Sequence, residues 1–393
     1  MRRTIFAAAT VLLLAGCGLK GTDNEKEQQE TPTASPTPSG DEALLSNDPA
    51  PGETVQEAIP DSEARPIMQV QVVLERQGFA PGVIDGEMGI STRNALTGFQ
   101  EANGLSQTGE LDEKTKAVLQ LWANIPATRV VTIPENWGTI RYQAMPEDPA
   151  EQAKLDHLGY ETIDEKLAER FHTTVEVLAQ LNPGGQPARA GQAPVPTSPT
   201  PSPSATGTDA PQQAIFRTGQ QVRVPNVGAD HIDTPAVDGK DWLATLVSLG
   251  VGSDQPKATR LVVSKSKGTL KAFDAQNKLV ALFTVTSGSS RDPLPLGTWG
   301  INGVSKNPPF TYNPELFWDV PDHEEKQQLP PGPNGPVGVA WIDLTKEHYG
   351  IHGTPEPQTI GRAESHGCVR LTNWDVARLA QMVSGSTKVV FKA

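Results

Sequence analysis

Two short segments near the C-terminus decide how this chain is interpreted: Gly350-Ile351-His352-Gly353-Thr354 and, after a Pro-containing loop, Ser365-His366-Gly367-Cys368-Val369-Arg370. Cys368 is one of only two cysteines in the sequence. A thiol attacks as its thiolate, and with a reference pKa near ~8.5 it is little ionised at neutral pH, so it needs a base nearby. His352 is the candidate base. Gly353 and Gly367 lie beside the base and the thiol, where backbone N–H groups can approach a substrate carbonyl oxygen closely.

These segments resemble the signature of the L,D-transpeptidase catalytic domain family, in which His-Gly-Thr precedes Ser-His-Gly-Cys-x-Arg by a short loop. The resemblance implies that Cys368 is the nucleophile, that His352 is general base and then general acid, and that the Gly353 carbonyl orients the imidazole. It also implies that the backbone amides of Gly367 and Cys368 stabilise the oxyanion. The other matched side chains would shape the pocket or, for the arginine, steady it or bind a substrate carboxylate: Ser365, His366 and Arg370. The resemblance implies no metal and no other cofactor.

The family also implies a reaction. The thiolate would attack the carbonyl of the third residue of a peptidoglycan tetrapeptide stem, release D-Ala and leave a thioester. An amine of another stem would then give a 3-3 cross-link. Water as acceptor would make the protein an L,D-carboxypeptidase, and a protein amine would attach that protein to the wall. The expected partners are therefore peptidoglycan stem peptides and glycan, with a protein acceptor as an open alternative, and a carbapenem is expected to acylate Cys368.

Four other interpretations stay open from the residues alone. A lone cysteine is often a small buried core residue, although neighbours such as His366, Gly367 and Arg370 are not typical of a core. A zinc site could combine that histidine with His348 and His352, but no His-Glu-x-x-His motif is present. A papain-like peptidase would have its cysteine before its histidine, the reverse of the order here. The rival of a different class is a non-catalytic tether between a lipid and peptidoglycan.

The N-terminus has the order of a secretory signal. A charged start, Met1-Arg2-Arg3, is followed by an apolar run and then by Leu14-Ala15-Gly16-Cys17, which resembles a bacterial lipobox. A transmembrane helix is the alternative, but about 11 apolar residues cover only about half of a bilayer core. We expect residues 1–16 to be a lipoprotein signal peptide and Cys17 to carry the lipid. The expected location is the periplasm, anchored to a membrane, and Gly18 rather than Asp favours the outer membrane.

Composition separates structured from unstructured parts. The 393 residues include 35 prolines and 36 glycines, which indicates several domains joined by long linkers. Residues 17–63 contain few large apolar side chains and are predicted to be a disordered, lipid-anchored tether. They carry most of the negative charge behind the net charge of −13. Because no part of the chain is strongly basic, we expect no nucleic-acid partner.

Residues 64–123 have the periodicity of three short helices joined by Gly-containing turns. Ser91-Thr92 and Asp112 are the predicted caps of the second and third helices. Three strings resemble the peptidoglycan-binding domain found on bacterial wall enzymes: Gly78-Phe79-Ala80-Pro81-Gly82-Val83-Ile84-Asp85-Gly86, Phe99-Gln100-Glu101-Ala102-Asn103-Gly104-Leu105 and Thr108-Gly109-Glu110-Leu111-Asp112. A helical spacer without a ligand is the alternative, since a fold does not establish binding.

Residues 124–228 resemble a LysM module, a small glycan-binding βααβ fold. The resemblance rests on two amphipathic helices, the loop after them and a closing strand: Ile163–Phe171, the helix capped by Thr173-Thr174, Asn182-Pro183-Gly184 and Phe216–Pro225. The copy is degenerate, because it lacks a Gly-Asp-Thr opening and has a Pro-rich insert at 186–213. A weak glycan binder and a structural remnant are both open, and residues 124–150 have no assigned role.

Residues 256–393 are predicted to form the catalytic domain, with residues 229–255 as a connector. Apolar and β-branched runs predict a mainly β fold, in agreement with the family. Thr372 and Asp375 have capping-box-like spacing, which predicts a helix that packs on the sheet and fixes Cys368. The predicted fold class is thus multidomain: a small all-α three-helix peptidoglycan-binding domain, a degenerate LysM-like α+β module and a mainly β L,D-transpeptidase catalytic domain.

Overall fold

A three-helix domain opens the described part of the chain. The structure, a computed structural model, describes residues 59–191, 214–228, 232–316 and 325–393, all of them within one compact unit. The helices are α1 (Pro66–Arg76), α2 (Ile90–Ala102) and α3 (Glu113–Leu119). Their apolar faces meet in one buried cluster that includes Leu74, Leu96 and Phe99. The predicted three-helix domain is therefore confirmed.

The two predicted caps in this domain have different outcomes. The Asp112 cap is confirmed, because its carboxylate accepts a 2.8 Å hydrogen bond from the Thr115 N–H. The Ser91-Thr92 cap is wrong, because α2 begins one residue earlier, behind Gly89. Thr92 lies inside the helix, where its buried hydroxyl accepts a 3.0 Å hydrogen bond from the Gln71 side chain. The hydroxyl that suggested a cap serves helix packing instead.

A small β-α-α-β unit follows. Its elements are β1 (Thr128–Thr132), α5 (Ile163–Arg170), α6 (Val175–Leu181) and β2 (Gln221–Pro225), and a one-turn helix, α4 (Pro149–Gln152), lies in the connection between β1 and α5. The two strands are antiparallel, with Val130 opposite Arg223. Their apolar residues share a core with α5 and α6, around Leu167, Phe171 and Leu178. The segment 124–150, which had no assigned role, therefore supplies the first strand of this unit.

The C-terminal domain is mainly β, as predicted. Its elements in chain order are α7 (Lys240–Leu249), β3 (Arg260–Ser264), β4 (Thr269–Phe273), β5 (Leu279–Thr284), β6 (Gly297–Trp299), β7 (Ile301–Lys306), β8 (Phe310–Tyr312), β9 (Gln327–Leu329), β10 (Ala340–Leu344), β11 (Gly350–His352), β12 (Val369–Arg370), α8 (Asn373–Met382) and β13 (Lys388–Lys392). One sheet has the strand order β5-β4-β3-β13-β6 and a second has the order β12-β11-β10-β7. The strands β8 and β9 form a separate antiparallel pair. The site segments lie in the second sheet.

Two helices complete the core of this domain. Trp242 and Leu246 of α7 and Trp374 of α8 are buried with the inner faces of the strands. The predicted cap of α8 is confirmed, because the Thr372 hydroxyl accepts a 3.2 Å hydrogen bond from the Asp375 N–H. The structure differs from the prediction for residues 229–255, because α7 makes this segment part of the domain core rather than a plain connector.

The three-helix domain docks on the free edge of β5. The Ala80 N–H donates to the Leu282 carbonyl at 2.8 Å, and the Leu282 N–H donates to the Gly78 carbonyl at 3.1 Å. Gly98 of α2 packs so closely that a Cβ there would lie 2.9 Å from the Leu282 Cβ. An exposed strand edge can form hydrogen bonds with other chains, so this contact also protects the sheet from aggregation.

Helix α8 is the element on which all three parts of the molecule meet. Glu75 of α1 receives a 2.8 Å hydrogen bond from Arg378 of α8 and lies 3.1 Å from His172 Nδ1, in the loop between α5 and α6. The His172 ring stacks on Trp374 of α8, with centroids 4.8 Å apart. Buried charges and rings from the three parts therefore share one junction.

Some predictions fall outside the described residues. They are the signal peptide at 1–16, the lipidation site Cys17, most of the tether, and residues 192–213 of the Pro-rich insert. Within the residues that are described, no helix is both long enough and apolar enough to cross a membrane.

Candidate active site

The site lies on one face of the second sheet, where β11 and β12 run parallel. Ile351 pairs with Val369 and His352 pairs with Arg370. Side chains alternate between the two faces of a strand, so Ile351 and Val369 point to one face. That face is the domain core, since both side chains are fully buried in it. His352, Arg370 and Cys368, which stands two residues before Arg370, share the opposite face.

His352 is held in one tautomer. Its Nδ1 lies 2.7 Å from the Gly353 carbonyl oxygen. A carbonyl can only accept, so Nδ1 carries the proton and Nε2 keeps a free lone pair. The backbone of Gly353 is itself fixed, because its N–H donates to the Val337 carbonyl at 3.0 Å. The predicted orienting role of the Gly353 carbonyl agrees with this geometry, and the imidazole is arranged to accept a proton.

The environment keeps this imidazole neutral. His352 is 5% exposed. Burial, together with the positive charge of Arg370, lowers the pKa of His352 to about 4, although the hydrogen bond to Gly353 opposes the shift. A histidine with this pKa is uncharged at neutral pH, which is the form that a general base needs.

Cys368 is partly exposed at the end of the loop that leads into β12. Its sulfur donates to the His348 carbonyl oxygen at 3.8 Å and also interacts with the Gly350 backbone. Burial raises the pKa of the Cys368 thiol, while the Gly350 backbone and the Arg370 charge lower it in part. The resting site therefore pairs a neutral thiol with a neutral imidazole, and the proton must move when attack begins.

Trp341 supports the imidazole from the next strand. It stands opposite His352 in the β10–β11 register, and the two rings stack with centroids 5.3 Å apart and planes 18° apart. The indole also covers Gly350, where a Cβ would lie 2.4 Å from a Trp341 ring carbon. A glycine is therefore required at this position. Sequence reasoning missed Trp341, because only the strand register brings it to the histidine.

Tyr349 packs against Gly367, the residue directly before the thiol. Gly367 has a φ of +106°, a conformation that favours glycine, and a Cβ there would lie 2.8 Å from the Tyr349 ring. Burial raises the pKa of Tyr349, as do negative charges at Cys368 and Asp292, so the phenol stays neutral beside a thiolate. Tyr349 was also missed, although it directly precedes the quoted Gly350 segment.

Backbone pairing fixes the loop that carries the thiol. The Ser365 hydroxyl donates to the Cys368 carbonyl at 2.6 Å, and the Ser365 carbonyl accepts from the Ser289 N–H at 3.1 Å. Arg370 exchanges two hydrogen bonds with Thr286, of 2.8 and 3.1 Å. The predicted pocket residue Ser365 therefore orders the thiol's own backbone.

The two remaining predicted residues lie at the border of the site. Arg370 is close enough to His352 and Cys368 to shift both pKa values, and its Nε is buried without a hydrogen-bond partner among the described residues. A buried guanidinium nitrogen that lacks an acceptor favours an incoming anion. His366 is partly buried beside the thiol loop.

The alternative metal site has no counterpart in the described part of the chain. No group of three or more His, Cys, Asp or Glu side chains is placed there to hold a metal ion. His348 has a φ of +64°, and its side chain is 67% exposed and lies 3.5 Å from Glu347. It contributes its backbone carbonyl to the site rather than its ring.

Comparisons with known proteins find two families in the chain. The L,D-transpeptidase catalytic domain matches residues 258–391, and the putative peptidoglycan binding domain matches residues 64–119. The first match contains both segments of the site. The second covers the three-helix domain.

Individual relatives agree with the first family. The putative L,D-transpeptidase YkuD of Bacillus licheniformis is 52% identical over 178 residues, which are 45% of this chain and 88% of the relative. The putative L,D-transpeptidase YqjB of Bacillus subtilis is 27% identical over 136 residues, 33% of this chain and 69% of the relative. A solved L,D-transpeptidase from Mycobacterium smegmatis has 21% sequence identity and a TM-score of 0.28, over 35% of this chain and 59% of that one. Since more than half of the aligned residues are identical across most of the Bacillus licheniformis protein, the chain belongs to the L,D-transpeptidase family.

Proposed function

We propose that this L,D-transpeptidase forms a thioester between Cys368 and a peptidoglycan tetrapeptide stem and transfers the acyl group to an amine. The observation that carries the proposal is the arrangement on the face of β11 and β12 that points away from the domain core. A partly exposed thiol lies diagonally across from an imidazole whose Nδ1 is bound to the Gly353 carbonyl at 2.7 Å. The proposed base therefore lies in β11 and the proposed nucleophile directly before its partner strand β12.

The first half-reaction releases D-Ala. The Cys368 sulfur attacks the carbonyl carbon of the third stem residue while His352 Nε2 takes the thiol proton. The backbone amides of Gly367 and Cys368 stabilise the oxyanion, as the family resemblance implies. When the tetrahedral intermediate collapses, the imidazolium returns the proton to the leaving D-Ala amine. The thioester remains, and His352 is neutral again.

The second half-reaction regenerates the thiol. The side-chain amine of the diamino acid in a second stem attacks the thioester carbonyl and forms the 3-3 amide. His352 accepts the surplus proton of the amine and passes it to the leaving sulfur. Splitting the acyl exchange into two steps needs neither ATP nor a metal in this scheme. Water in place of the amine would give a tripeptide product instead.

The low pKa of His352 determines how the thiol is activated. An imidazole with a pKa of about 4 does not hold the thiol proton in the resting enzyme. Bound substrate excludes water and presents a carbonyl whose oxygen becomes the stabilised oxyanion during attack, so proton transfer and attack occur together. The buried Nε of Arg370 is available for the carboxylate of the stem, which would place the negative end of the substrate beside the thiol.

Peptidoglycan is the partner that the two domain matches support. We further propose that the β-α-α-β unit at 124–228 is a LysM-like module that binds the glycan strand. Its order of elements, with β1 and β2 paired around two helices, supports this proposal. Cosedimentation of Cys368→Ala protein with insoluble peptidoglycan, with and without residues 124–228 replaced by a flexible linker, measures the contribution of this unit.

The location is a separate proposal. The N-terminal signal and the lipobox-like Leu14-Ala15-Gly16-Cys17 support a lipid anchor on Cys17 and a periplasmic catalytic domain. Metabolic labelling with a fatty acid tests this anchor. Label that depends on Cys17 is expected, and label that persists in Cys17→Ala would refute the lipobox.

The reaction is tested with purified tetrapeptide muropeptides. Mass spectrometry should detect free D-Ala together with 3-3 dimers in wild-type protein and neither product in Cys368→Ala. Tripeptide without dimers would identify an L,D-carboxypeptidase. Identical product formation by wild type and Cys368→Ala would contradict the proposed role of the thiol.

A further inference from the structure

Asn373, the first residue of α8, joins the histidine loop to the β-α-α-β unit. It is fully buried. Its Oδ1 accepts a 3.2 Å hydrogen bond from the Val339 N–H, and it fills the space against Gly353, where a Cβ would lie 2.3 Å from that oxygen. The carbonyl of Gly353 is the acceptor for His352 Nδ1. The Asn373 carboxamide therefore stands directly behind the group that orients the imidazole.

The other side of the carboxamide faces the β-α-α-β unit. The Asn373 Nδ2 donates to Glu169 Oε1 at 2.7 Å and to the Pro333 carbonyl at 3.0 Å. Glu169 belongs to α5 and is held from behind by the Tyr160 hydroxyl, which donates to its Oε2 at 2.6 Å. A chain of hydrogen bonds thus runs from Tyr160 through Glu169 and Asn373 to the support of Gly353.

The loop at residues 331–340 receives a second set of contacts from the same unit. The Leu158 N–H donates to the Pro331 carbonyl at 2.9 Å, and the Asn334 N–H donates to the Leu158 carbonyl at 3.0 Å. This loop in turn accepts the Gly353 N–H on the Val337 carbonyl at 3.0 Å. Both supports of Gly353 therefore depend on contacts that the β-α-α-β unit makes.

We infer that Glu169 and Asn373 are positioning residues for the transpeptidase reaction, through which the β-α-α-β unit holds the Gly353 carbonyl and so the catalytic imidazole in place. Neither residue needs to touch the substrate. The inference rests on the proposed role of His352 as the base. It assigns to the LysM-like part of the chain a task in catalysis that is separate from any binding of glycan.

A second buried glutamate on the same helix provides a matched control. Glu75 of α1 also contacts α8, but through Arg378, on a later turn of the helix than Asn373. It is 2% exposed, compared with 8% for Glu169. If the glutamates only hold the parts of the molecule together, then replacing either of them should affect catalysis equally.

The kinetic test compares Glu169→Met, Glu169→Gln and Glu75→Met in the muropeptide assay. Met has about the volume of Glu but cannot accept the Asn373 hydrogen bond, whereas Gln can. Because a displacement of about 1 Å can cost up to about 100-fold in rate, we expect kcat of Glu169→Met to fall at least about 10-fold with KM little changed. Glu169→Gln should stay within about 3-fold of wild type, and Glu75→Met should keep kcat while it remains folded. Equal losses of kcat in Glu169→Met and Glu75→Met would overturn the inference.

A spectroscopic arm tests the positioning directly and does not depend on turnover. In protein labelled with ¹⁵N-histidine, the Nδ1 proton of His352 is identified by its absence in His352→Gln. We expect this resonance to shift or broaden in Glu169→Met and to match wild type in Glu169→Gln and Glu75→Met. An unchanged resonance in folded Glu169→Met would overturn the inference. If Glu169→Met does not fold, Tyr160→Phe, which keeps the carboxyl but removes its second donor, should shift the same resonance less, and no shift there would also overturn it.

The two hypotheses can fail separately. Loss of activity in Cys368→Ala and His352→Ala together with full activity in Glu169→Met would leave the proposed reaction intact and contradict the positioning role. Activity that persists in His352→Ala would contradict the proposed base, while the His352 resonance would still report whether Glu169 positions the ring.

Discussion

His352 decides the protonation chemistry of the site. Burial and the charge of Arg370 both disfavour the imidazolium, and a single hydrogen bond to Gly353 fixes the tautomer. The thiol is also neutral at rest, because burial raises its pKa. The site therefore holds a neutral thiol and a neutral imidazole at rest rather than a thiolate–imidazolium pair.

The pH profile of kcat/KM should report the neutral imidazole. Activity needs His352 without a proton, so it should be retained below pH 6 and lost only as the pH falls through about 4. In Arg370→Gln one of the two causes of the low pKa is gone, so the acid limb should move to higher pH. Circular dichroism at each pH controls for unfolding. An acid limb near the ordinary histidine pKa of about 6.5 in wild type would contradict the assigned environment.

The sequence singles out the residues that are proposed to react, but not what surrounds them. Cys368, His352 and Gly353 stand in two short motifs, and the pairing of β11 with β12 brings these motifs together. Trp341 and Tyr349 carry no such motif. Trp341 reaches His352 only through the β10–β11 register, which depends on pairing over a whole strand and is not encoded in any short segment.

At the scale of elements, the site consists of one sheet face. Strands β10, β11 and β12 place Trp341, His352 and Cys368 side by side, while their alternate residues anchor the face to the core. Two glycines are also needed to form this face. Gly350 provides the space for the indole, and Gly367 provides the backbone turn before the thiol.

Gly350→Ala should damage the site without changing a reacting group. The added methyl would lie 2.4 Å from the Trp341 ring, so the indole must move, and the imidazole stacked on it would lose its support. We expect kcat to fall by about 10-fold or more and stability to fall by about 1–3 kcal/mol, measured by chemical denaturation. Gly303→Ala on strand β7 of the same sheet is the control, because its Cβ meets open space. Wild-type kcat in Gly350→Ala would show that the stacking is dispensable.

Local patterns also identified most elements, and their failures have specific causes. The cap at Thr372 follows from residues close in sequence and is confirmed. The strand β1 had no assigned role, because its partner β2 lies about 90 residues later in the chain. The helix α7 was taken as a connector, although Trp242 and Leu246 are spaced to face a core.

At the scale of the whole molecule, helix α8 connects the catalytic domain to the two parts of the chain that are predicted to bind peptidoglycan. It follows the thiol strand directly, and its buried side chains contact both N-terminal parts of the described chain through Glu75, Glu169 and His172. The three-helix domain is further fixed by its backbone pairing with β5. The catalytic domain and the peptidoglycan-binding domain therefore belong to one compact unit and are not two domains joined only by a linker.

The two buried glutamates that contact α8, Glu169 and Glu75, should make stability depend on pH in opposite directions. Burial raises the pKa of Glu169 to about 7, so the folded state holds a proton that the unfolded state releases above about 4.5, and stability falls as the pH rises through this window. For Glu75 burial opposes ionisation, but Arg378 and His172 lower its pKa, so its contribution is present above the unfolded pKa and is lost on acidification.

Thermal denaturation at pH 5 and pH 8 measures this difference. Relative to wild type, Glu169→Gln should gain stability from pH 5 to pH 8, whereas Glu75→Gln should show no such gain, because the Glu75 contribution is already present throughout this interval and is lost only at lower pH. The same pH dependence in both variants would contradict the opposite charge states assigned to the junction.

The most direct test of the central claim is peptide mass spectrometry of the acyl-enzyme. Wild-type protein is mixed with a tetrapeptide stem that lacks an acceptor amine, quenched with acid and digested. The account predicts a mass increase equal to the tripeptide acyl group on the peptide that contains Cys368, with one D-Ala released per adduct and no adduct in Cys368→Ala. An enzyme that turns the stem over while Cys368 stays unmodified, or an adduct that persists in Cys368→Ala, would contradict it.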